Sequence, residues 1–149
     1  MGRVGLIFPG QGAQLIGMGA DVATAHPGAG AIFDRANEVL GIDLKRICFE
    51  GPESALEATD NQQPAILVTS IALLTALADR CDLPVQAVAT AGLSLGEYTA
   101  LYFAKSLSSE DAVTLVRRRG ELMQAAAEAR AGGMVSLIGA DEAKAQELC

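Results

Sequence analysis

Short unbroken apolar runs alternate along this chain with longer stretches in which apolar positions recur every three or four residues. Val4 to Phe8 is the first run and predicts a buried strand, followed by a loop, "PGQGAQ". Ile32 to Leu40 has helical spacing and stops at Gly41, a residue suited to the left-handed backbone after a helix. The segment "CFEGPESALEATDNQ" predicts mostly loop, with a turn of helix from Ser54. Pro64 fits the first position of the next helix, and Pro64 to Asp79 is apolar almost all round, as in a helix packed on several sides.

Val85 to Ala91 predicts a second strand, followed by a turn at Ser94 and a helix to about Lys105. Ser108 with Asp111 three residues later resembles a capping box and opens a long helix to about Ala129. "RAGG" breaks that helix, Met134 to Ile138 predicts a third strand, and Asp141 starts another helix. Strands separated by helices predict an α/β fold with parallel pairing. The last helical run stops at Cys149 with no strand after it, whereas a strand needs a partner and an apolar helix face needs a surface. The expectation is the N-terminal portion of a longer protein, with a second, small subdomain only begun after Gly132.

Half of the 149 residues are apolar and 19% are charged, a globular composition that excludes a disordered chain. A net charge of −7 argues against nucleic acid as partner, since phosphate neutralisation requires clustered Lys and Arg, and "RRR" at 117–119 is the only basic cluster. The three cysteines are far apart and in no Cys-x-x-Cys spacing, so they read as reduced thiols of an intracellular protein. A single histidine, His26, leaves no zinc constellation, and no metal site is expected. The N-terminal apolar run ends at Pro9, too early for a signal peptide, and Leu6 stands where a myristoylation signal needs Ser or Thr. Ala65 to Ala78 is interrupted by Thr69, Ser70 and Thr75 and falls short of a membrane span, which leaves a cytoplasmic protein with no membrane partner as the expectation.

The candidate chemistry begins at Gly92-Leu-Ser94-Leu-Gly96. In a strand-to-helix elbow the central residue is held in a strained conformation with its side chain clear of the sheet. The residues two before and two after face each other, where a β-carbon would collide, and glycine removes the clash. Ser94 would lie at a helix N-terminus, and an oxyanion formed by its attack on a carbonyl would come within reach of the Leu95 amide. The alternative is an ordinary tight turn. A second amide donor is expected from another loop at the same sheet edge, and "FPGQGAQ" follows the first strand as required. Its glycines match neither a dinucleotide fingerprint, because Leu15 replaces the third glycine, nor a phosphate loop, because Met18 stands where lysine is needed. A backbone amide near Gln11 and a turn chosen only for its shape remain the two readings.

In the long helix, Ala112, Leu115, Val116, Leu122, Met123 and Ala126 form one apolar stripe with Arg119 at its centre. Arg117 lies nearly opposite and Arg118 toward one flank, and both are expected to be solvated. An inward guanidinium needs an anion, either an internal Asp or Glu or a carboxylate on a substrate.

"GLIFPGQGAQLIGMG", "DNQQPAIL", "GLSLGEYTAL" and "VRRRGELMQ" together resemble the N-terminal half of malonyl-CoA:acyl carrier protein transacylases and the related acyltransferase domains of fatty acid and polyketide synthases. The resemblance runs in order from Val4 to about Ile138. It implies a parallel-sheet, α/β-hydrolase-like acyltransferase core, incomplete here, over residues 1–131, with residues 132–149 the start of a small ferredoxin-like subdomain. It further implies Ser94 as the acyl-accepting nucleophile, the Gln11 and Leu95 amides as oxyanion donors, and Arg119 as the grip on a malonyl carboxylate. Gln63 matches a position near the site, with no firm role. The implied substrate is malonyl-CoA, the implied partner acyl carrier protein, and no cofactor is permanently bound. Two features depart from the family: Leu93 stands where histidine often precedes the nucleophile, and the catalytic histidine would lie beyond Cys149. His26 matches no catalytic position and is expected to be a loop or helix-end residue. Residues 1–149 alone are therefore expected to be nearly inactive and poorly folded. The alternatives are a serine thioesterase sharing the elbow and a non-catalytic truncation that binds coenzyme A or carrier protein.

Overall fold

In the computed structural model, which describes residues 4–81, 87–129 and 137–148, two parallel strands lie side by side. They are β1 (Val4–Phe8) and β2 (Ala87–Gly92), with Val4 opposite Ala87 and Phe8 opposite Gly92. Parallel pairing requires a long crossover, and five described helices make it. They are α1 (Ala20–Ala25), α2 (Pro27–Leu40), α3 (Leu44–Glu50), α4 (Glu53–Glu57) and α5 (Thr59–Arg80). β1 has the bounds expected from its apolar run. Of the expected second strand, residues 85 and 86 lie outside the described residues, and pairing extends one residue further, to Gly92.

α2 starts five residues before the apolar period does. His26 caps it, its Nδ1 accepting from the Ala29 amide at 3.4 Å, and Pro27 takes the first helical position. His26 is thus a helix-end residue, as expected. The helix ends at Gly41, whose φ of 66° lies in the left-handed region.

The segment expected to be mostly loop is instead largely helical: it holds the end of α3, all of α4 and the start of α5. Helices of five and seven residues have no independent stability. Burial supplies it, since Leu44, Cys48 and Leu56 are all sealed in the core.

α5 is the centre of the molecule. Every residue from Gln62 to Ala72 is buried, and Ile66, Leu67, Val68 and Ile71 contact helices on several sides, as the nearly unbroken apolar run predicts. Pro64, however, is not at its first position but inside it, five residues after Thr59.

After β2 come α6 (Gly96–Phe103), α7 (Ser109–Ala129) and α8 (Glu142–Leu148). Ser108 caps α7 as expected, its Oγ accepting from the Asp111 amide at 3.0 Å. Asp141 does the same for α8 through the Lys144 amide at 2.9 Å. The third strand expected at 134–138 lies mostly outside the described residues, and Leu137 and Ile138 are in no strand. Among the described residues the sheet therefore has two strands, and no helix is long and apolar enough to cross a membrane.

The buried face of α7 is not the apolar stripe of the sequence. Ala112, Val113, Val116 and Gly120 are buried, whereas Leu115 and Leu122 are exposed. The reason is Gly120: a β-carbon there would sit 2.5 Å from the Thr59 carbonyl oxygen and 2.7 Å from Asp60 Cα, so α7 meets the first turn of α5 backbone to backbone. At 3.6 residues per turn this puts Arg117 and Arg119 on opposite flanks of the buried face and Arg118 away from it.

Candidate functional site

Three residues turn the chain from the end of β2 at Gly92 into α6 at Gly96. The middle one, Ser94, has φ 55°, a left-handed conformation that costs a residue with a β-carbon about 1 kcal/mol or more. The turn is held by the Gly96 amide donating to the Leu93 carbonyl at 3.0 Å and the Glu97 amide donating to the Ser94 carbonyl at 3.2 Å. Both glycines are sterically required, for different reasons. A β-carbon on Gly92 would overlap the backbone of Gly96, as the elbow geometry predicts. One on Gly96 would run into the Phe8 carbonyl, so this glycine serves the approach of α6 to β1 and does not face Gly92 alone. Leu95 is buried and anchors the turn, while Ser94 stands exposed above it.

The loop after β1 runs along the same elbow. A β-carbon on Gly10 would lie 2.9 Å from the Leu93 carbonyl oxygen, which fixes how closely the two loops approach. Gln11, next in the chain, is exposed. Among the described residues, neither the Gln11 amide nor the Leu95 amide donates a hydrogen bond, the state an oxyanion donor must be in before substrate arrives.

Arg119 reaches Ser94 from α7. Its Nη2 donates to Ser94 Oγ at 2.7 Å and its Nη1 to Gln63 Oε1 at 2.6 Å, while its guanidinium carbon lies 5.8 Å from the centre of the Tyr98 ring. Gln63 is fully buried on α5, and its amide nitrogen donates to Met123 Sδ at 3.3 Å, leaving the oxygen toward Arg119. Of the two partners the sequence left open for this arginine, an internal carboxylate is not found: among the described residues Arg119 forms no ion pair, and its side-chain partners are neutral. A cation with only neutral partners, beside an exposed hydroxyl, can receive an anionic group.

Arg117 overturns its expectation. It is not solvated but carries the internal ion pair, with Nη2 2.8 Å from Asp60 Oδ2, Nη1 donating to Asn61 Oδ1 at 2.7 Å and to the Asp60 carbonyl at 3.1 Å, and Nε donating to Glu121 Oε1 at 3.1 Å. The close crossing at Gly120 brings it there. Arg118 is exposed, as expected, and bonds Glu121 at 3.1 Å. Hydrogen bonds from Arg118 and then Arg117 hold the Glu121 carboxyl below its ordinary pKa.

Ser94, Gln63 and Arg119 are thus joined by direct hydrogen bonds, Leu95 is part of the same turn, and Gln11 lies in the loop packed on it. Tyr98 and Met123 also touch this constellation and were not foreseen. Tyr98 is one turn after Ser94 on α6, a spacing that could have drawn notice. His26 is elsewhere, its Nε2 3.0 Å from Asp79 Oδ2. No group of three His, Cys, Asp or Glu able to hold a metal occurs among the described residues.

A sequence model of a family described as "Acyl transferase domain" matches residues 6–149. The chain is 45% identical over 141 residues to the malonyl CoA-acyl carrier protein transacylase of Bacillus subtilis, covering 95% of this chain and 44% of that protein. The fold is similar to that of the acyl-carrier-protein S-malonyltransferase of Bartonella henselae, with TM-score 0.84, 38% identity, and coverage of 100% of this chain and 48% of that one. It is also similar, with TM-score 0.79 and 41% identity over 84% of this chain and 40% of the other, to a malonyl-transacylase solved in complex with its type II PKS acyl-carrier protein. The chain therefore spans about half the length of the relatives it matches.

Proposed function

The chain belongs to the acyl transferase domain family, and from that premise we propose that it carries the acyl-accepting half of a malonyltransferase site. In this reading the protein moves a malonyl group from malonyl-CoA to the phosphopantetheine thiol of acyl carrier protein through a malonyl ester on Ser94. The observation that carries it is the 2.7 Å hydrogen bond from Arg119, a cation without a carboxylate partner among the described residues, to the exposed elbow hydroxyl. The same guanidinium that touches Ser94 can take the free carboxylate of an incoming malonyl group as a bidentate pair, setting the thioester carbon over Oγ.

The chemistry is two acyl transfers. Ser94 Oγ loses its proton to a general base and attacks the thioester carbonyl. The oxyanion is held by the Gln11 and Leu95 amides, and the C–S bond breaks to release coenzyme A, which takes the proton. The carrier-protein thiol then attacks the malonyl-serine ester and regenerates the hydroxyl. Gln63 serves as the buried acceptor that aims Arg119. His26, engaged at the start of α2, is not that base, and we assign the base to the half of the relatives' length that this chain does not span. No cofactor is needed for these steps, since the thioester supplies the driving force. The α/β-hydrolase-like core over residues 1–131, the ferredoxin-like subdomain begun at 132–149 and the cytoplasmic setting belong to the same proposal, as does a role in fatty acid synthesis.

The test is to incubate the full-length gene product with malonyl-CoA and read the intact mass. A malonyl increment located on Ser94 and absent from Ser94→Ala is expected. Arg119→Ala should reduce malonylation on the order of 100-fold, the value of lost charge-assisted hydrogen bonds, and leave acetylation from acetyl-CoA nearly unchanged. An unlabelled Ser94, or a malonyl preference that survives Arg119→Ala, would overturn the reading. Hydrolysis of uncharged thioesters with no preference for malonyl would favour a thioesterase.

A further inference from the structure

Pro64 lies inside α5, where it has no N–H to give to the carbonyl four residues earlier. That carbonyl belongs to Asp60, and it accepts from Arg117 Nη1 at 3.1 Å. The same guanidinium pairs with the Asp60 carboxylate at 2.8 Å and bonds Asn61 Oδ1 at 2.7 Å. Arg117 therefore replaces, from the neighbouring helix, the donor that the proline removes, and the glycine at position 120 lets α7 come close enough to do so. Pro64 is adjacent to Gln63, and Arg117 is two residues before Arg119. The contact thus ties together the two backbone segments whose side chains meet in the Gln63–Arg119 hydrogen bond and continue to Ser94.

We propose that Arg117 is a positioning residue for acyl selection: by plugging the carbonyl that Pro64 leaves without a donor, it sets the register of α7 on α5 and so places the Arg119 guanidinium beside Ser94. The inference rests on the malonyltransferase reading. A guanidinium suits the task because its planar fork reaches the backbone carbonyl, the carboxylate and the Asn61 amide oxygen at once. A lysine ammonium is a single centre of charge and cannot span them. A displacement near 1 Å in a positioning group costs up to about 100-fold in rate.

The experiment compares initial rates of Ser94 acylation from malonyl-CoA and from acetyl-CoA, read by intact mass, in the full-length gene product and in Arg117→Met and Arg117→Lys. Acetyl has no carboxylate for Arg119, so a uniformly weakened fold lowers both rates together, while a misplaced Arg119 lowers only the first. Arg117→Met should reduce the malonyl-to-acetyl ratio about 10- to 100-fold. Arg117→Lys, which keeps the charge and protects the fold, should give an intermediate ratio. Equal losses for both substrates, or a wild-type ratio in Arg117→Lys, would overturn the inference. A wild-type protein that shows no malonyl preference would instead overturn the functional reading beneath it.

Discussion

Arg119 bridges a buried amide oxygen and an exposed hydroxyl, and both of its terminal nitrogens are used. On the proposed malonyltransferase reading, Arg119→Lys keeps the charge but cannot hold Gln63 and Ser94 together, so in the full-length gene product it should raise the KM for malonyl-CoA about tenfold or more in steady-state kinetics. Cys48 makes a separate prediction. Burial pushes its thiol up to about 12, so between the ordinary thiol range and pH 12 the folded chain keeps a proton that the unfolded chain loses. Stability from this group is complete at neutral pH and declines as the pH rises above about 9. At pH 8 the folded protein should carry little alkylation at Cys48 after treatment with iodoacetamide, with the partly exposed Cys81 modified before Cys48, as peptide mass spectrometry would read.

At the scale of elements, the α5–α7 crossing depends on an absent side chain. Gly120→Ala forces a β-carbon against the Thr59 carbonyl and should cost about 1–3 kcal/mol in urea unfolding. Ser108→Ala removes the cap of α7 and should cost about 1 kcal/mol by the same measurement. The two substitutions also show what a pattern of residues conveys. Ser108 and Asp111 announce their helix because capping is local, and Gly92-x-Ser94-x-Gly96 announces its turn because the strain is local. Gly120 enters a hydrophobic pattern as a blank, although it marks the line of closest approach. The stripe drawn through Leu115 and Leu122 therefore pointed Arg117 outward. Pro64 misled in the same way, because the donor that serves the carbonyl it abandons, Arg117, comes from a helix distant in sequence.

At the scale of the molecule, Arg35 on α2 reaches Glu110 at the start of α7 at 3.2 Å, joining elements far apart in sequence, and also pairs with Glu38 on its own helix at 2.7 Å. The backbone amide of Glu110, then the Ser109 hydroxyl, then Arg35 hold the Glu110 carboxyl below its ordinary pKa. Glu121 is lowered likewise by Arg118 and Arg117. For carboxyls depressed in the fold, the stabilisation is present above the ordinary value of about 4.3 and is lost as the pH falls through the lower folded value. The melting temperature should therefore fall as pH drops below about 4.5, and less steeply in Arg35→Met. An unchanged slope in that variant would show that the pairing contributes nothing to acid sensitivity.

From the order of residues alone came the first strand to the residue, the elbow and its serine, the buried central helix and the caps of the last two helices. All of these depend on interactions spanning a few residues or on one periodic face. Only the tertiary structure decided that α3 and α4 are helices, that Arg119 finds neutral partners, and that Arg117 is the arginine with the internal carboxylate. These outcomes follow from where two backbones can touch, and that distance is set by atoms from segments nearly sixty residues apart, which no local pattern encodes.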